Sequence, residues 1–411
     1  MRKVLYSFLL TFFLSVPYIN SQKNLAVPGN PGIEVYLLTI NPGIETYSHY
    51  GHSAIRVKIP EKNLDVVYNW GVFDFSTPNF AWKFAKGRLD YILMADSFNS
   101  FISQYIKEER SVYQQKVNLS PEETDQLLYL ISENLRPENV KYRYDFFYDD
   151  CSTRIRDLFE KLIGDDLMYP PPVKKSVLPT FREKVGEYQR YYPWLKVGID
   201  LIMGLPADKK ASERDQMFLP FDLQTGLSEA VINKGGRNIP LLQNPQAVIE
   251  FDLPEHKNNI LTSPLIVLGL MLIAIIIFSA AYRRERLNRI VDILLFTVFS
   301  ILAVLMIFFN FFSDHQQMKW NLNIIWLNPF LIMCLVSLIF NLNNDRWFRI
   351  VFYLELLMLL PMFFMPAVFN NAFIPLCMII MLRSSMRADF SWNPFSLITG
   401  EIASSSIHSK L

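Results

Sequence analysis

The sequence lacks the residues on which several kinds of chemistry depend. Its 411 residues include three cysteines and five histidines, with no Cys-x-x-Cys, no His-Glu-x-x-His and no phosphate-binding glycine loop. Metal and nucleotide chemistry therefore have no basis in the motifs, and the expected metal and cofactor complement is none. The formal net charge is +1, so no global field draws nucleic acid, and no nucleic-acid partner is expected. The adjacent carboxylates Asp149 and Asp150 do not form a glycosidase pair, because chain neighbours point apart. No internal repeat is visible.

Apolar residues are plentiful, at 51 %, and unevenly placed. Arg2 and Lys3 precede an apolar run from Val4 to Ile19, then Asn20, Ser21 and Gln22. This is the layout of a secretory signal; Pro17 and the small Ser21 favour cleavage, and the alternative is an uncleaved anchor helix. Five further apolar runs fill the last third, at Pro264–Tyr282, Ile290–Phe312, Ile324–Phe340, Trp347–Met365 and Ala372–Leu382. The fifth is short for a span, which tilt or partial burial accommodates. Positive charge marks alternate connections: Arg283, Arg284, Arg286 and Arg289, then Arg346 and Arg349 beside Asp345, then Arg383 and Arg387. The positive-inside rule puts these three clusters in the cytoplasm, so the region before the first run is exported, in agreement with the signal. The expected organisation is a signal peptide over 1–21, an exported domain over 22–258, a five-helix membrane domain over 259–390 and a cytoplasmic tail over 391–411.

Cys334 and Cys377 fall in membrane runs, which leaves Cys151 alone in the exported domain. It has no disulfide partner there, so it is a buried core residue, an intermolecular partner or a working thiol. The domain reads as α+β. Gly32–Ile40 is a strand, followed by a turn at Asn41-Pro42-Gly43. The stretch from His52 to Ile59 alternates, with Ser53, Ile55, Val57 and Ile59 on an apolar face and His52, Ala54, Arg56 and Lys58 on the other. If Pro60–Asn63 turns the chain back, Asn69 and Gly71 return level with His52. Thr77–Gly87 is helical and Ser111–Leu119 extended. Ser120, Pro121 and Glu123 open a capped helix through Asn134. Tyr142–Tyr148 is aromatic and extended. From Asp149-Asp150 a helix runs to Gly164, with Ile155, Leu158, Phe159, Leu162 and Ile163 inward. Cys151 shares that face in the first turn, where the helix dipole favours thiolate while Asp149 and Asp150 oppose it. Glu183–Gly204 is one or two helices, Phe218-Leu219-Pro220 carries no clear chemistry, and roughly Asn233–Asn259 is a connector.

Thiol chemistry needs a thiolate, a base to take its proton and a group to orient the base. The main body of the domain offers two imidazoles, His49 and His52. His52 on a strand and Cys151 at a helix start supply what each other needs, as when a helix packs on a sheet in papain-like folds, here with the order permuted. His49 is the fallback base. Asn69 is a candidate orienter, against its reading as a polar strand-end residue. Arg154 is a candidate contact for a phosphate, against its reading as a solvated helix residue, and Asp157 reads as a salt-bridging helix residue.

Several stretches resemble the Lnb-type lipoprotein N-acyltransferases: YLLTINPG (36–43), YSHYGHSAIRV (47–57), YNWGVFDF (68–75), YRYDFFYDDCSTRIRD (142–157), MFLP (217–220) and, for the membrane half, NLNIIWLNP (321–329). The resemblance implies an α+β papain-like (permuted NlpC/P60-like) domain in the periplasm, followed by an all-α domain of about five transmembrane helices in the bacterial inner membrane. It implies Cys151 as nucleophile and His52 as general base and acid. It also implies a phospholipid acyl donor, the bilayer as partner and an apolipoprotein acceptor whose diacylglyceryl-cysteine amine takes the acyl chain from a Cys151 thioester. The chain departs from the expected pattern at Asp150, where an asparagine is expected. In the outward loop Ser313–Asn323, His315, Lys319 and Trp320 are candidate headgroup contacts; the plainer reading makes Trp320 an interfacial anchor and Lys319 a snorkelling cation. The competing readings are a membrane-anchored thiol hydrolase (a cell-wall peptidase or amidase, or a phospholipase) and a scaffold with a buried Cys151.

Overall fold

The computed structural model describes residues 32–252, 259–282, 284–342, 344–388 and 390. The expected signal segment and cytoplasmic tail lie outside them. The first half of the chain forms an antiparallel sheet wrapped by helices. Its strands are β1 (Glu34–Ile40), β2 (His52–Ile59), β3 (Leu64–Val72), β4 (Asp90–Ser97), β5 (Val112–Lys116), β6 (Lys141–Arg143) and a late addition, β10 (Gln246–Ile249). They lie in the order β10-β5-β1-β2-β3-β4-β6, and β7 (Leu167–Met168), β8 (Val231–Lys234) and β9 (Arg237–Pro240) make a second small sheet. The helices of this half are α1 (Phe80–Lys86), α2 (Phe98–Lys107), α3 (Pro121–Asn134), α4 (Cys151–Ile163), α5 (Phe181–Gln189), α6 (Pro193–Ile202) and α7 (Pro220–Glu229).

Both faces of the main sheet are covered. Ile55, Val57 and Trp70 pack with Cys151, Ile155 and Phe159 of α4. Leu38, Ala54 and Val67 pack with Phe101, Ile102 and Tyr105 of α2. Ala54 and Arg56, on the other face of β2, are thus buried as well. Arg56 is accommodated there because Asp65 receives its guanidinium at 2.8 and 2.6 Å while Phe98 lies 3.3 Å beneath it; a buried cation needs such partners. The α3 helix begins as its sequence requires, with Ser120 and Glu123 closing a capping box. The aromatic stretch after Tyr142 is extended only to Arg143. Asp145 then accepts the N–H groups of Phe147 and Tyr148 and bends the chain toward α4. The segment read as a connector is corrected: β9 closes a hairpin on β8 and β10 joins the edge of the main sheet against β5. Phe218 and Leu219 are core, packed with Phe147 and Phe181.

The second half is helical: α8 (Pro264–Ala281), α9 (Glu285–Ile307, continued by a π turn over Phe308–Phe312), α10 (Phe330–Phe340), α11 (Arg346–Phe364) and α12 (Phe373–Arg387). Three are long and apolar enough to cross a membrane, Pro264–Ala281, Glu285–Phe312 and Arg346–Phe364. The third expected run begins its α-helix later than read, because Leu322–Ile324 is a 3-10 turn and 325–329 is irregular. Its irregular backbone sits among buried side chains, with Asn321 and Asn323 bonding Leu201 O and Trp326 Nε1 bonding Asn323. Non-helical backbone at membrane depth is tolerated only when enclosed in this way. The fifth helix runs past its expected end. Arg383 is therefore not a loop cation: it lies 1 % exposed, pairing with Asp292 at 2.5 Å and with Ser279 and Asn288.

Candidate active site

Cys151 is the first residue of α4. Asp150 caps that helix, its carboxyl accepting the N–H groups of Ser152 (2.9 Å) and Thr153 (2.8 Å), while Thr153 Oγ1 accepts the Asp150 N–H at 2.7 Å. The cap fixes the start of the helix, and with it the thiol. The backbone N–H groups of Ser53 and of Cys151 itself favour the thiolate, but burial outweighs them and pushes the thiol's pKa up. Ser152 Oγ, 3.9 Å from the sulfur, is held by Ser53 Oγ at 3.2 Å.

His52 opens β2. Its Nε2 lies 2.5 Å from Asn69 Oδ1 on β3. An amide oxygen only accepts, so Nε2 carries the hydrogen and Nδ1 keeps the free lone pair. Burial lowers the imidazole's pKa from 6.5 to about 4. At neutral pH the thiol is therefore protonated and the imidazole neutral.

Gly71 joins the two. Pairing of Ile55 with Tyr68 and Arg56 with Val67 sets the β2–β3 hairpin register, while on the other edge of β3 a bulge between Asn69 and Val72 interrupts its pairing with β4. By that register Gly71 comes level with His52, and Asn69 sits on the diagonal, as the alternation in the sequence implies. Gly71 has φ +88°, and a Cβ there would sit 3.6 Å from Cys151 Cβ and 3.9 Å from both His52 Cε1 and Tyr142 Oη. Absence of a side chain keeps the space between these three groups open.

The remaining candidates take other roles. Arg154 spends its Nε (2.5 Å) and one Nη (2.8 Å) on Asp149 and lies 3.6 Å over the Tyr142 ring. Asp157 pairs with Arg156 and Arg214. His49 is 2 % exposed, bonding Tyr188 O at 3.0 Å through Nε2, so it is held away from the role of base. The loop Ser313–Asn323 docks onto the first half of the chain. His315 Nε2 meets Phe84 O at 2.8 Å, Asp314 pairs with Arg88 at 2.6 Å, and Gln317 bonds Asp145 in the turn that feeds α4. Lys319 bonds the carbonyls of Asn310 and Ser313 at the end of α9, as a cation suits a helix C-terminus. Trp320 is 76 % exposed. None of His315, Lys319 and Trp320 contacts Cys151, His52 or Asn69.

Asp150 departs from the amide expected there but does the same capping. Burial and the neighbouring thiol push its pKa well above the usual carboxylate range, toward the neutral form that an amide would mimic. Tyr142, which carried no signal in the sequence beyond its aromatic run, is the residue that sequence reasoning missed.

These features define a membrane protein whose exported α+β domain presents a thiol and an imidazole at the end of an antiparallel sheet. Comparison with known families narrows the class. Residues 30–178 match the Lnb N-terminal periplasmic domain and residues 255–391 match the Lnb transmembrane domain. The chain belongs to the Lnb family, and is an inner-membrane protein with its N-terminal domain in the periplasm. No curated protein and no solved structure matches it.

Proposed function

We propose that the protein is a lipoprotein N-acyltransferase that carries an acyl chain on Cys151. The observation that carries this reading is the meeting of thiol, oriented imidazole and open space at Gly71, on a domain pinned to the outer ends of the membrane helices. His52 Nδ1 takes the thiol proton, and the sulfur attacks an ester carbonyl of a phospholipid. The tetrahedral intermediate collapses, the glycerol oxygen takes the proton back from His52, and a lysophospholipid leaves a thioester on Cys151. The α-amine of a diacylglyceryl-cysteine apolipoprotein then attacks, losing a proton to His52, and the amide forms as the sulfur departs and is reprotonated. Asn69 holds the imidazole in the tautomer this sequence of transfers requires.

The surroundings suit a lipid donor. Phe73, Phe75, Phe80 and Phe84 form a chain of ring contacts running from beside Gly71 along α1. Trp82 of α1, 60 % exposed, meets Phe308 at the outer end of α9 at 5.5 Å. Aromatic residues at that level sit in the membrane interface, and Lys83 and Lys86 beside them suit phosphate headgroups. The working boundaries are a periplasmic domain over 22–258, a membrane domain over 259–390 and flanking segments 1–21 and 391–411.

The test uses purified protein in vesicles of a phospholipid with one labelled acyl chain. A mass shift of one acyl group on Cys151, discharged by a synthetic diacylglyceryl-cysteine peptide to give its amide, supports acyl transfer. Release of free fatty acid with the peptide unmodified makes the protein a phospholipid hydrolase. No adduct on Cys151, with the peptide unmodified and no fatty acid released, removes the thiol mechanism.

A further inference from the structure

Tyr142 Oη is buried with no hydrogen-bond partner among the described residues. A hydroxyl stripped of water and left unpaired carries an uncompensated desolvation penalty. Other buried side-chain atoms among the described residues share that state, and what sets this one apart is where it points. The position of this one says where the partner would be. It opens on the space that Gly71 leaves clear, on the same side as Cys151 Cβ and His52 Cε1. It is also held rigidly. Tyr142 pairs with Tyr91 across β6 and β4, and its ring lies under the Arg154 guanidinium at 3.6 Å, itself anchored on Asp149.

We propose that Tyr142 is a catalytic residue of the acyl-transfer site, its hydroxyl donating a hydrogen bond to the oxyanion of the tetrahedral intermediates, and that Gly71 keeps that oxyanion's place empty. The assignment rests on the acyl-transfer reading. When the Cys151 sulfur bonds to the ester carbon, the carbonyl π pair moves onto oxygen, and the negative oxygen needs donors already in place. The N–H groups of Ser152 and Thr153 are occupied by Asp150. Tyr142 Oη supplies a donor at the edge of the Gly71 space. When the leaving oxygen or the sulfur departs, the pair returns to the carbonyl and the phenol has kept its proton throughout. The same donor serves both steps, since both intermediates place an oxyanion on the same carbon. Arg154 acts through Tyr142: its charge over the ring polarises the O–H and its stack fixes the ring, which makes it a positioning residue.

The test is Tyr142→Phe in the full-length protein in phospholipid vesicles, with the rate of Cys151 thioester formation and the steady-state rate with a diacylglyceryl-cysteine peptide both measured. Loss of one preorganised oxyanion donor lowers kcat about 10²–10³-fold with KM unchanged, since the bond exists only in the transition state. The thermal unfolding midpoint stays level or rises, because the substitution removes an unpaired buried hydroxyl and leaves the ring in place. A kcat within about threefold of wild type overturns the assignment. So does a fall in unfolding midpoint large enough to account for the lost rate, which would make the hydroxyl structural. If the wild-type protein itself forms no Cys151 thioester, the acyl-transfer reading fails first; if wild type and Tyr142→Phe form it equally fast, only the oxyanion assignment fails.

Discussion

The chain holds three buried cysteines in two regions, and they differ in what surrounds them. Cys334 lies wholly within apolar packing among Phe296, Leu331 and Trp326. Cys377 spends its thiol on Glu355 O, one helix away. Cys151 is as deeply placed as a core residue, at 8 % exposed, yet it stands at a helix start with the Ser152 hydroxyl 3.9 Å from its sulfur and an imidazole across a glycine. Burial alone therefore does not distinguish the three cysteines; the polar surroundings of Cys151 do, and they are what the proposed role rests on. Charge tells the same story. In the membrane domain Asp292 receives Arg383 at 2.5 Å and Arg387 at 2.7 Å, a buried cluster of opposed charges. In the periplasmic site the titratable groups are pressed toward neutrality and one hydroxyl is left unpaired. One region sets charge against charge, and the other holds its titratable groups neutral.

The comparison breaks first at the cysteines. Cys151→Ala should lower lipopeptide acylation by about 10⁴-fold or more, while Cys334→Ala and Cys377→Ala should keep activity close to wild type, measured per folded protein. Equal losses in all three would erase the distinction. The membrane cluster is tested next. Arg383→Ala leaves Asp292 with Arg387 as its remaining cation and should cost up to about 3 kcal/mol, read as a lower unfolding midpoint in detergent; specific activity of the folded fraction should stay within about threefold.

The pH dependence of His52 follows with its sign. The folded imidazole has a pKa of about 4 against 6.5 unfolded. Between those values the unfolded chain takes up a proton that the folded chain refuses. Stability should thus fall as pH drops from about 6.5 to about 4, by up to about 3 kcal/mol, and level off below. His52→Gln should lose that slope, which paired unfolding titrations would show. A smaller effect is expected at Asn69→Ala: loss of the ring's anchor should slow thioester formation by about 10–100-fold without changing the unfolding midpoint much. Smallest is Asp150→Asn. The amide keeps both capping bonds and removes a carboxyl that resists ionisation, so stability otherwise lost as pH rises past the ordinary carboxylate range is recovered. The expected gain at pH 7 is about 1 kcal/mol, with a severalfold faster thioester step; a lower midpoint would contradict it.

Much of the site was legible in one dimension because its spacing is local. Alternation from His52 to Ile59 and one turn bring Asn69 and Gly71 back to His52, and a capped amphipathic helix puts Cys151 inward. What was not legible depends on distant partners. Tyr142 stands in a run with Tyr144, Phe146, Phe147 and Tyr148, and nothing in that run says which hydroxyl faces the thiol; pairing with Tyr91 decides it. Arg383 read as a loop cation until its partner Asp292, 91 residues earlier, drew it inside. The short β10 in a polar stretch had no signal of its own, since its support is distant: the edge of β5 and the core that Val248 and Ile249 pack against. Lys319 and His315 had the right chemistry for a headgroup but were already committed to carbonyls.

The most direct test of the central claim is the mass of a lipoprotein's N-terminal lipopeptide from cells lacking this protein, complemented with wild type, Cys151→Ala or His52→Ala at equal protein levels. The account predicts one added amide-linked acyl chain with wild type and none with either variant. The same acylated lipopeptide from all three would contradict it.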